Sequence, residues 1–268
     1  MKKIVVSEVK EVKEVKGIGK LFILPSSFFI FSPYLRSRMP KDSFRFKQFL
    51  VCQERCAMKV GTDGVLLGAW VNVGQHVLDV GTGTGLIALM VAQRFPEAYV
   101  TAIDIDGSAY AQAFENVANS PFSDRVGVKH VALQQFEDSE KFDAIVSNPP
   151  FFEPALKTQS GSRLLSPREI ARHSDTLSYS ELCRNASRLL VENGEFSVIV
   201  PFDYRSDMDM EAAIVGLFPS RVCAVRTSDR KPVRRYLLAY KKHPVAVEQS
   251  ELVIGSTEYR SLVEDFYL

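Results

Sequence analysis

The chain has 268 residues, 46% of them hydrophobic and 24% charged, which is an ordinary composition for a globular protein. A formal net charge of +1 excludes a strongly basic or acidic chain, so any polyanionic partner must be bound by a local basic patch. The four cysteines form no CxxC pair and have no histidine at metal-ligand spacing. They predict reduced thiols, a cytoplasmic location and no metal site.

Residues 1–42 form an unusual N-terminal extension. An EVK triplet repeats within residues 8–20, and the apolar run at residues 21–31 is interrupted by Pro25. That run is too short to span a bilayer, and the arginines after it, without a small-residue cleavage site, argue against a secretion signal. We expect a poorly ordered extension without membrane contact, and Met39 is a candidate natural start.

Strand-like and helix-like segments alternate from residue 43 to residue 242. Seven strand-like segments lie at residues 76–80, 99–104, 126–133, 142–147, 195–200, 221–227 and 234–241. Helical patterns occupy Leu86–Arg94, Ser108–Asn119, Ser178–Val191 and Asp207–Leu217. This alternation predicts one α/β domain with a mostly parallel, seven-stranded sheet and helices on both faces. Residues 243–268 are expected to form a C-terminal tail.

A glycine-rich loop follows the first strand of this domain, in the sequence LDVGTGTGLIAL at residues 78–89. Gly81, Gly83 and Gly85 allow a tight turn and a close backbone approach to a ligand. A dinucleotide fingerprint requires a small residue where this chain has Leu86. The carboxylate of Asp79 before the turn would repel a pyrophosphate and attract a cationic amine, so the pattern favours a ligand with an ammonium group.

The second strand ends at Asp104, about twenty residues after the glycine loop. An acid at this position can accept hydrogen bonds from both hydroxyls of a ribose. The alternative is a helix N-cap, because Asp106 and Ser108 lie at the same boundary. The loop and the acid together resemble the S-adenosylmethionine site of class I methyltransferases. The resemblance implies a Rossmann-like methyltransferase fold and S-adenosylmethionine as the cofactor.

The fourth strand ends in Asn148, Pro149, Pro150 and Phe151. Taken alone, this sequence is typical of a strand terminator, because proline cannot donate to a strand ladder. At this position it resembles the catalytic motif of methyltransferases that act on planar nitrogens. In that interpretation the Asn148 side-chain oxygen and the Pro149 carbonyl accept hydrogen bonds from the target amine. Phe151 stacks on the target base.

The likeness to one family extends over about residues 44–242. Residues 44–70, FRFKQFLVCQERCAMKVGTDGVLLGAW, resemble the opening of the bacterial tRNA1(Val) adenine-37 N6-methyltransferases. The resemblance implies that Lys59, Gly61, Thr62 and Asp63 fold over the cofactor. It also implies a tRNA substrate, namely an adenine next to the anticodon of a valine tRNA. Ala132 stands where the family tends to show an acid, which leaves backbone groups or Gln134 to hold the cofactor adenine.

Two basic clusters flank the expected site and predict phosphate contacts with RNA. The candidate RNA-binding residues are Arg163, Arg168, Arg172, His173, Arg230, Arg234 and Arg235. The alternative for each cluster is an ordinary solvated surface. We expect a monomer or a weak dimer.

Three other enzyme functions and one binding function were weighed against tRNA methylation. Glutamine methylation of a release factor uses the same chemistry, but residues 1–40 are too short for the helical recognition domain of that family. A DNA adenine methyltransferase would need a target-recognition segment that the sequence does not show. A non-catalytic module that binds the cofactor or RNA is disfavoured by the intact Asp79, Asp104 and Asn148. A nicotinamide oxidoreductase is disfavoured by Leu86.

Overall fold

The computed structural model describes residues 42–149 and 177–267 of the chain. A short antiparallel hairpin, β1 (Ser43–Arg45) and β2 (Leu50–Cys52), precedes the main sheet. The predicted N-terminal extension lies outside the described residues except for Asp42, as does the candidate start at Met39. The domain boundaries therefore remain a prediction.

The main sheet has eight strands. In chain order they are β3 (His76–Val80), β4 (Tyr99–Asp104), β5 (Val126–His130), β6 (Phe142–Ser147), β7 (Leu190–Pro201), β8 (Phe218–Arg226), β9 (Val233–Lys241) and β10 (Glu248–Val253). Their spatial order is β10-β8-β9-β7-β6-β3-β4-β5. Only β9 runs antiparallel to its neighbours, β7 and β8. The carboxyl ends of the other strands therefore share one edge, which we call the carboxyl edge.

Six α-helices are described in these parts of the chain. They are α1 (Thr62–Trp70), α2 (Leu86–Arg94), α3 (Gly107–Ala118), α4 (Tyr179–Leu189), α5 (Arg205–Ile214) and α6 (Thr257–Val263). Short 3₁₀ turns occupy Leu133–Gln135 and Phe202–Tyr204. Among these residues, no helix combines the length and the apolar character that crossing a membrane requires.

Alternating side chains of the central strands fill two cores, one on each face of the sheet. In β3, Val77 belongs to the core that contains α1, α2 and α6, whereas Leu78 and Val80 belong to the core that contains α4 and α5. Both faces are buried, so these strands are nearly continuous apolar runs, as expected for parallel strands covered by helices. The predicted α/β fold, with a mostly parallel sheet and helices on both faces, is confirmed.

Besides shifts of a few residues at the ends of β5 and α5, the structure differs from the sequence prediction after β9 and at the end of α4. The sheet has an eighth strand, because β10 pairs in parallel with β8. This strand and α6 lie in the segment expected to be a tail, and Phe266 after α6 is almost fully buried. The helix predicted to reach Val191 ends at Leu189, because Leu190 is already extended and pairs with Phe142 at the start of β7.

Candidate active site

A cavity of about 820 Å³ opens at the carboxyl edge of the sheet, where β3, β4 and β6 end. A volume of this size is typical of sites that bind cofactors and small molecules. Most of the predicted site residues on described segments lie on its wall. They are Lys59, Gly61, Thr62, Asp63, Gly81, Gly83, Asp104, Gln134, Asn148 and Pro149.

The glycine loop forms one wall of the cavity. Gly81 and Gly83 have positive φ angles of 68° and 58°, which side chains rarely adopt. A Cβ atom built on either glycine would meet no atom within 4 Å, so the backbone faces open space. Gly85 was predicted to approach the ligand like the other two glycines, but it does not line the cavity. A Cβ there would lie 3.4 Å from Ala113 of α3, so this glycine serves helix packing before α2.

Asp79 lies behind this wall and is fully buried. Its Oδ2 atom accepts hydrogen bonds from the Thr82 hydroxyl at 2.6 Å and from the Ala88 amide at 3.2 Å. Its Oδ1 atom has no hydrogen-bond partner among the described residues. Burial raises the pKa of Asp79 to about 7, and the charge of Asp104 adds to this shift. Contact between Asp79 and a ligand amine stays a prediction, since Thr82 and not Asp79 lines the cavity.

Asp104 reaches the cavity, and its neighbour Asp106 takes the capping role. Asp106 Oδ1 accepts hydrogen bonds from the amides of Ser108 and Ala109 and so caps α3. The N-cap alternative for Asp104 is therefore wrong. Asp104 accepts hydrogen bonds from the amides of Gly83 at 2.8 Å and Asp106 at 2.9 Å. Burial raises its pKa, although the two amides act in the opposite direction.

Asn148 follows β6 directly, beside the end of β3. The Ser147 hydroxyl donates a hydrogen bond to the Val80 carbonyl at 2.9 Å, which fixes the end of β6 next to the glycine loop. Asn148 Nδ2 contacts the Met58 sulfur at 3.9 Å. Its Oδ1 atom is buried and has no hydrogen-bond partner in the described parts of the chain. A buried acceptor without a partner is costly, so it marks a position where a ligand donor would bind. Pro150 and Phe151 lie outside the described residues.

The segment before α1 and the first residues of α1 form another wall of the cavity, with Lys59, Gly61, Thr62 and Asp63 on its surface. Two contacts hold the segment before α1 in place. The Val60 amide donates to Gln53 at 2.7 Å, and Lys59 pairs with Asp42. The expectation that Lys59–Asp63 fold over a cofactor stays a prediction, but these residues do border the cavity.

Sequence analysis missed several residues on the third wall. Ile105, Leu133 and Glu181 line the cavity around Ala132 and Gln134. Gln134 donates a hydrogen bond to Glu181 at 3.1 Å, and this bond together with those from Ser178 lowers the pKa of Glu181. The spacing of Ser178 and Glu181 is typical of a capping box, which the structure contains, but it carries no signal that Glu181 faces the cavity.

The predicted RNA-binding residues have different environments. Arg230 and Arg234 are exposed in and next to the turn between β8 and β9, which lies at the carboxyl edge. Arg235 is half-buried and forms an ion pair with Asp63, at 2.8 Å, on the cavity wall. The other four candidates, Arg163, Arg168, Arg172 and His173, lie outside the described residues.

All four cysteines of the chain lie within the described residues. Cys52, Cys56, Cys183 and Cys223 are free thiols. Burial raises the pKa of Cys56, on the cavity wall, to about 11, so this thiol stays protonated and is a poor nucleophile. In residues 42–149 and 177–267, no group of three or more His, Cys, Asp or Glu side chains is arranged to hold a metal ion.

Solved structures share the fold at low sequence identity. One is a predicted O-methyltransferase from Agrobacterium tumefaciens, with a TM-score of 0.59, 17% identity and coverage of 76% of this chain and 96% of that chain. Another is the glycopeptide N-methyltransferase MtfA in complex with S-adenosylmethionine, with a TM-score of 0.50, 11% identity and coverage of 68% and 95%. These likenesses establish the class I methyltransferase fold and no substrate.

Sequence comparison identifies the family. The family model described as methyltransferase small domain matches residues 60–166. Proteins named tRNA1(Val) (adenine(37)-N6)-methyltransferase match far more of the chain. The protein from Phocaeicola vulgatus is 45% identical, and that from Trichodesmium erythraeum is 42% identical, each over 86% of this chain and 99% of its own length. The chain therefore belongs to the tRNA1(Val) (adenine(37)-N6)-methyltransferase family.

Proposed function

We propose that this protein transfers a methyl group from S-adenosylmethionine to the N6 amino group of an adenine in tRNA, at position 37 of a valine tRNA. The observation that carries the proposal is the Asn148 Oδ1 atom, a buried acceptor without a described partner on the wall that also holds Asp104. The protein works as a monomer or weak dimer in the cytoplasm, without a metal ion.

The cavity has the chemical features that S-adenosylmethionine requires. Open space in front of Gly81 and Gly83 accommodates the amino-acid end of the cofactor, and the buried Asp79 carboxyl, once ionised, favours its ammonium group. Asp104 offers carboxylate oxygens to the ribose hydroxyls. Ile105 and Leu133 provide apolar surface for the adenine, and Gln134 provides a polar side chain. When bound, the cofactor supplies an activated methyl group on a sulfonium.

The residues at the end of β6 are suited to a planar nitrogen. The lone pair of an adenine amino group is delocalised into the ring, so the nitrogen becomes nucleophilic only as it pyramidalises. Asn148 Oδ1 and the Pro149 carbonyl can accept hydrogen bonds from its two N–H groups and favour that geometry. Such positioned acceptors contribute through orientation and electrostatics, without a general base. From the sequence, we expect Phe151 to stack on the target base, with Pro150 stiffening the turn between them.

Recognition of tRNA requires positive charge near the cavity. Arg230 and Arg234 supply it at the carboxyl edge, where both side chains are exposed. Arg163, Arg168, Arg172 and His173 are proposed to add to it from the segment after the catalytic motif. The Arg235 guanidinium pairs with Asp63, so its contribution is to hold the cavity wall rather than to bind phosphate directly.

The test is to incubate the protein with labelled S-adenosylmethionine and total tRNA, then to digest the RNA and identify the modified nucleoside. We expect N6-methyladenosine, which sequencing of the labelled species locates next to the anticodon of a valine tRNA. Label in a release-factor glutamine, or in DNA and not in tRNA, would refute the proposal. Binding of cofactor and tRNA without any transfer would instead identify a non-catalytic module.

A pair of asparagine variants links the activity to the site. Asn148→Ala should lower turnover by about 100-fold or more, as expected for loss of one oriented hydrogen-bonding group. Asn119→Ala serves as the control, because Asn119 is exposed and, among the described residues, its side chain bonds only to the Glu115 carbonyl of the same helix. Equal activity of the two variants would mean that the Asn148 amide has no role in the reaction.

A further inference from the structure

A group of aromatic and basic side chains follows β7 at the carboxyl edge. The Phe202 ring stacks on the Tyr236 ring with centroids 5.9 Å apart and planes 24° apart. The Arg205 guanidinium lies 4.5 Å from the centre of the same Tyr236 ring. About half of the Phe202 surface is exposed to solvent. We call Phe202, Tyr236 and Arg205 the aromatic platform.

Two connections tie the aromatic platform to the active-site cavity. The first connection is the ring of Tyr204, two residues after Phe202, whose centroid lies 6.3 Å from that of the Tyr179 ring. In the sequence, Tyr179 lies between Leu177 and Glu181, which both line the cavity. The second connection runs along the backbone of β9: Tyr236 follows Arg235, whose side chain points to the opposite face of the sheet and pairs with Asp63 on the cavity wall. The platform therefore lies beside the rim of the cavity on the β7–β9 side.

The surroundings of the platform carry both signs of charge: exposed Asp203 and Asp207 lie beside Phe202 and Arg205, and cations lie on the β9 side. Arg205 is about one-third exposed, although it also forms an ion pair with Asp209 at 3.3 Å. Arg230, Lys231 and Arg234 are exposed in and beside the turn that leads into β9. An exposed aromatic ring next to several cations is the combination that binds unpaired nucleotides, because the ring stacks on the base while the cations attract the backbone.

We propose that the aromatic platform stacks on an unpaired base adjacent to the target adenine and so holds the RNA in place for methyl transfer. This inference rests on the proposed function, because it assumes an RNA substrate whose target base enters the cavity. A target adenine must leave its stack to enter the cavity, and the neighbouring base then loses a stacking partner. Phe202 replaces that partner. Its role is to position the substrate, and it does not contact the reacting atoms.

Stem-loop RNAs with the target adenine in the loop provide the test. One RNA is intact, and two others carry an abasic nucleotide on one side or the other of the adenine. For the wild-type protein, the abasic nucleotide on the stacked side should raise Kd by about 5- to 100-fold, the usual effect of losing one stacked base. Phe202→Ala should raise the Kd for the intact RNA by a similar factor. The abasic nucleotide should cause no further loss of affinity in this variant.

Companion measurements separate stacking from other roles. Phe202→Trp should retain tight binding, whereas Phe202→Leu, which is apolar but cannot stack, should behave like Phe202→Ala. The cofactor affinity of the variants should stay unchanged, because Phe202 does not line the cavity. Their unfolding midpoints should fall only slightly, because Phe202 is half exposed and its loss removes one ring contact, with Tyr236. Tyr99→Ala is the matched control, since Tyr99 is similarly exposed but begins β4 at the opposite edge of the sheet.

Two results would overturn the platform while leaving the proposed function intact. In the first, wild-type protein methylates the intact RNA and Phe202→Ala binds it equally well. In the second, Phe202→Ala weakens the intact and the abasic RNAs by the same factor, so that its effect is independent of the base. A wild-type protein that neither binds nor methylates any RNA would refute the proposed function and the platform together.

Discussion

Replacing Asp79 with asparagine should make the apo protein more stable relative to the wild type at pH 8 than at pH 5, and should weaken cofactor binding. Asp79 is fully buried, and its pKa is raised from 3.8 to about 7. In the native state the carboxyl therefore keeps its proton at pH values where the unfolded chain has already lost it. Asparagine cannot ionise, yet its side-chain oxygen can still accept the hydrogen bonds from Thr82 and Ala88.

The sign and the size of the effect follow from linkage. Between about pH 4 and pH 7 the native wild type binds one more proton than the unfolded chain, so this group lowers stability as pH rises. The penalty is complete above pH 7. Each pH unit corresponds to about 1.4 kcal/mol, so the advantage of Asp79→Asn at pH 8 should exceed its advantage at pH 5 by about 2–3 kcal/mol.

Denaturant unfolding of both apo proteins at the two pH values measures this difference.

Calorimetry with S-adenosylmethionine measures the predicted loss of cofactor affinity. Wild-type affinity should rise between pH 6 and pH 8 as the Asp79 carboxyl ionises and attracts the ammonium group, whereas the affinity of the variant should be lower and flat. A stability difference that is the same at pH 5 and pH 8 would refute the reasoning, because Asp79 would then ionise without a penalty from burial.

Three further predictions test the other parts of the site. Asp104→Ala should weaken binding of S-adenosylmethionine by roughly 1.5–3 kcal/mol, the usual value of a hydrogen bond to a charged group. An unchanged affinity in calorimetry would exclude a contact between Asp104 and the ribose. Asn148→Ala should retain cofactor affinity while losing turnover, so equal losses of both would indicate a collapsed cavity. Arg234→Glu should weaken tRNA binding and reduce its salt dependence, as measured by anisotropy at several salt concentrations. Lys141→Glu, an exposed change just before β6 at the opposite edge, should leave tRNA binding unchanged.

Sequence patterns predicted the elements that bury apolar residues on both faces. The limits of α2 match the predicted helix at residues 86–94, because a glycine precedes the helix and almost every residue within it is buried. The predicted helix at residues 178–191 ended too late, since helical periodicity in Leu189–Val191 cannot be distinguished from the start of a buried strand. The strand β10 was missed because most of its residues are exposed, which leaves no apolar alternation to detect.

Within the site, sequence spacing identified the residues that follow strands and missed those that approach from elsewhere. Asp104 ends β4 and Asn148 follows β6, the two strands on either side of β3, so the parallel topology alone brings them to one edge. Glu181 reaches the cavity from α4, and nothing in its local sequence distinguishes it from any capping glutamate. Asp79 lies near the end of β3, the strand that leads into the glycine loop, but its side chain points behind the cavity wall. A position near the end of a strand does not determine the direction of the side chain.

Arg235 shows why a cluster of like charges in the sequence does not define one function. Arg234 and Arg235 are adjacent in β9, and neighbouring residues in a strand point to opposite faces. Arg234 is exposed, whereas Arg235 turns inward and forms an ion pair with Asp63, 172 residues away in sequence. That pair joins the wall of the cofactor cavity to the strand that carries Tyr236 of the aromatic platform. Because Arg235 contacts the cavity wall and lies between Arg234 and Tyr236 in β9, a change at Arg235 should affect cofactor and RNA binding together, whereas changes at Phe202 and Asp104 should each affect one of them.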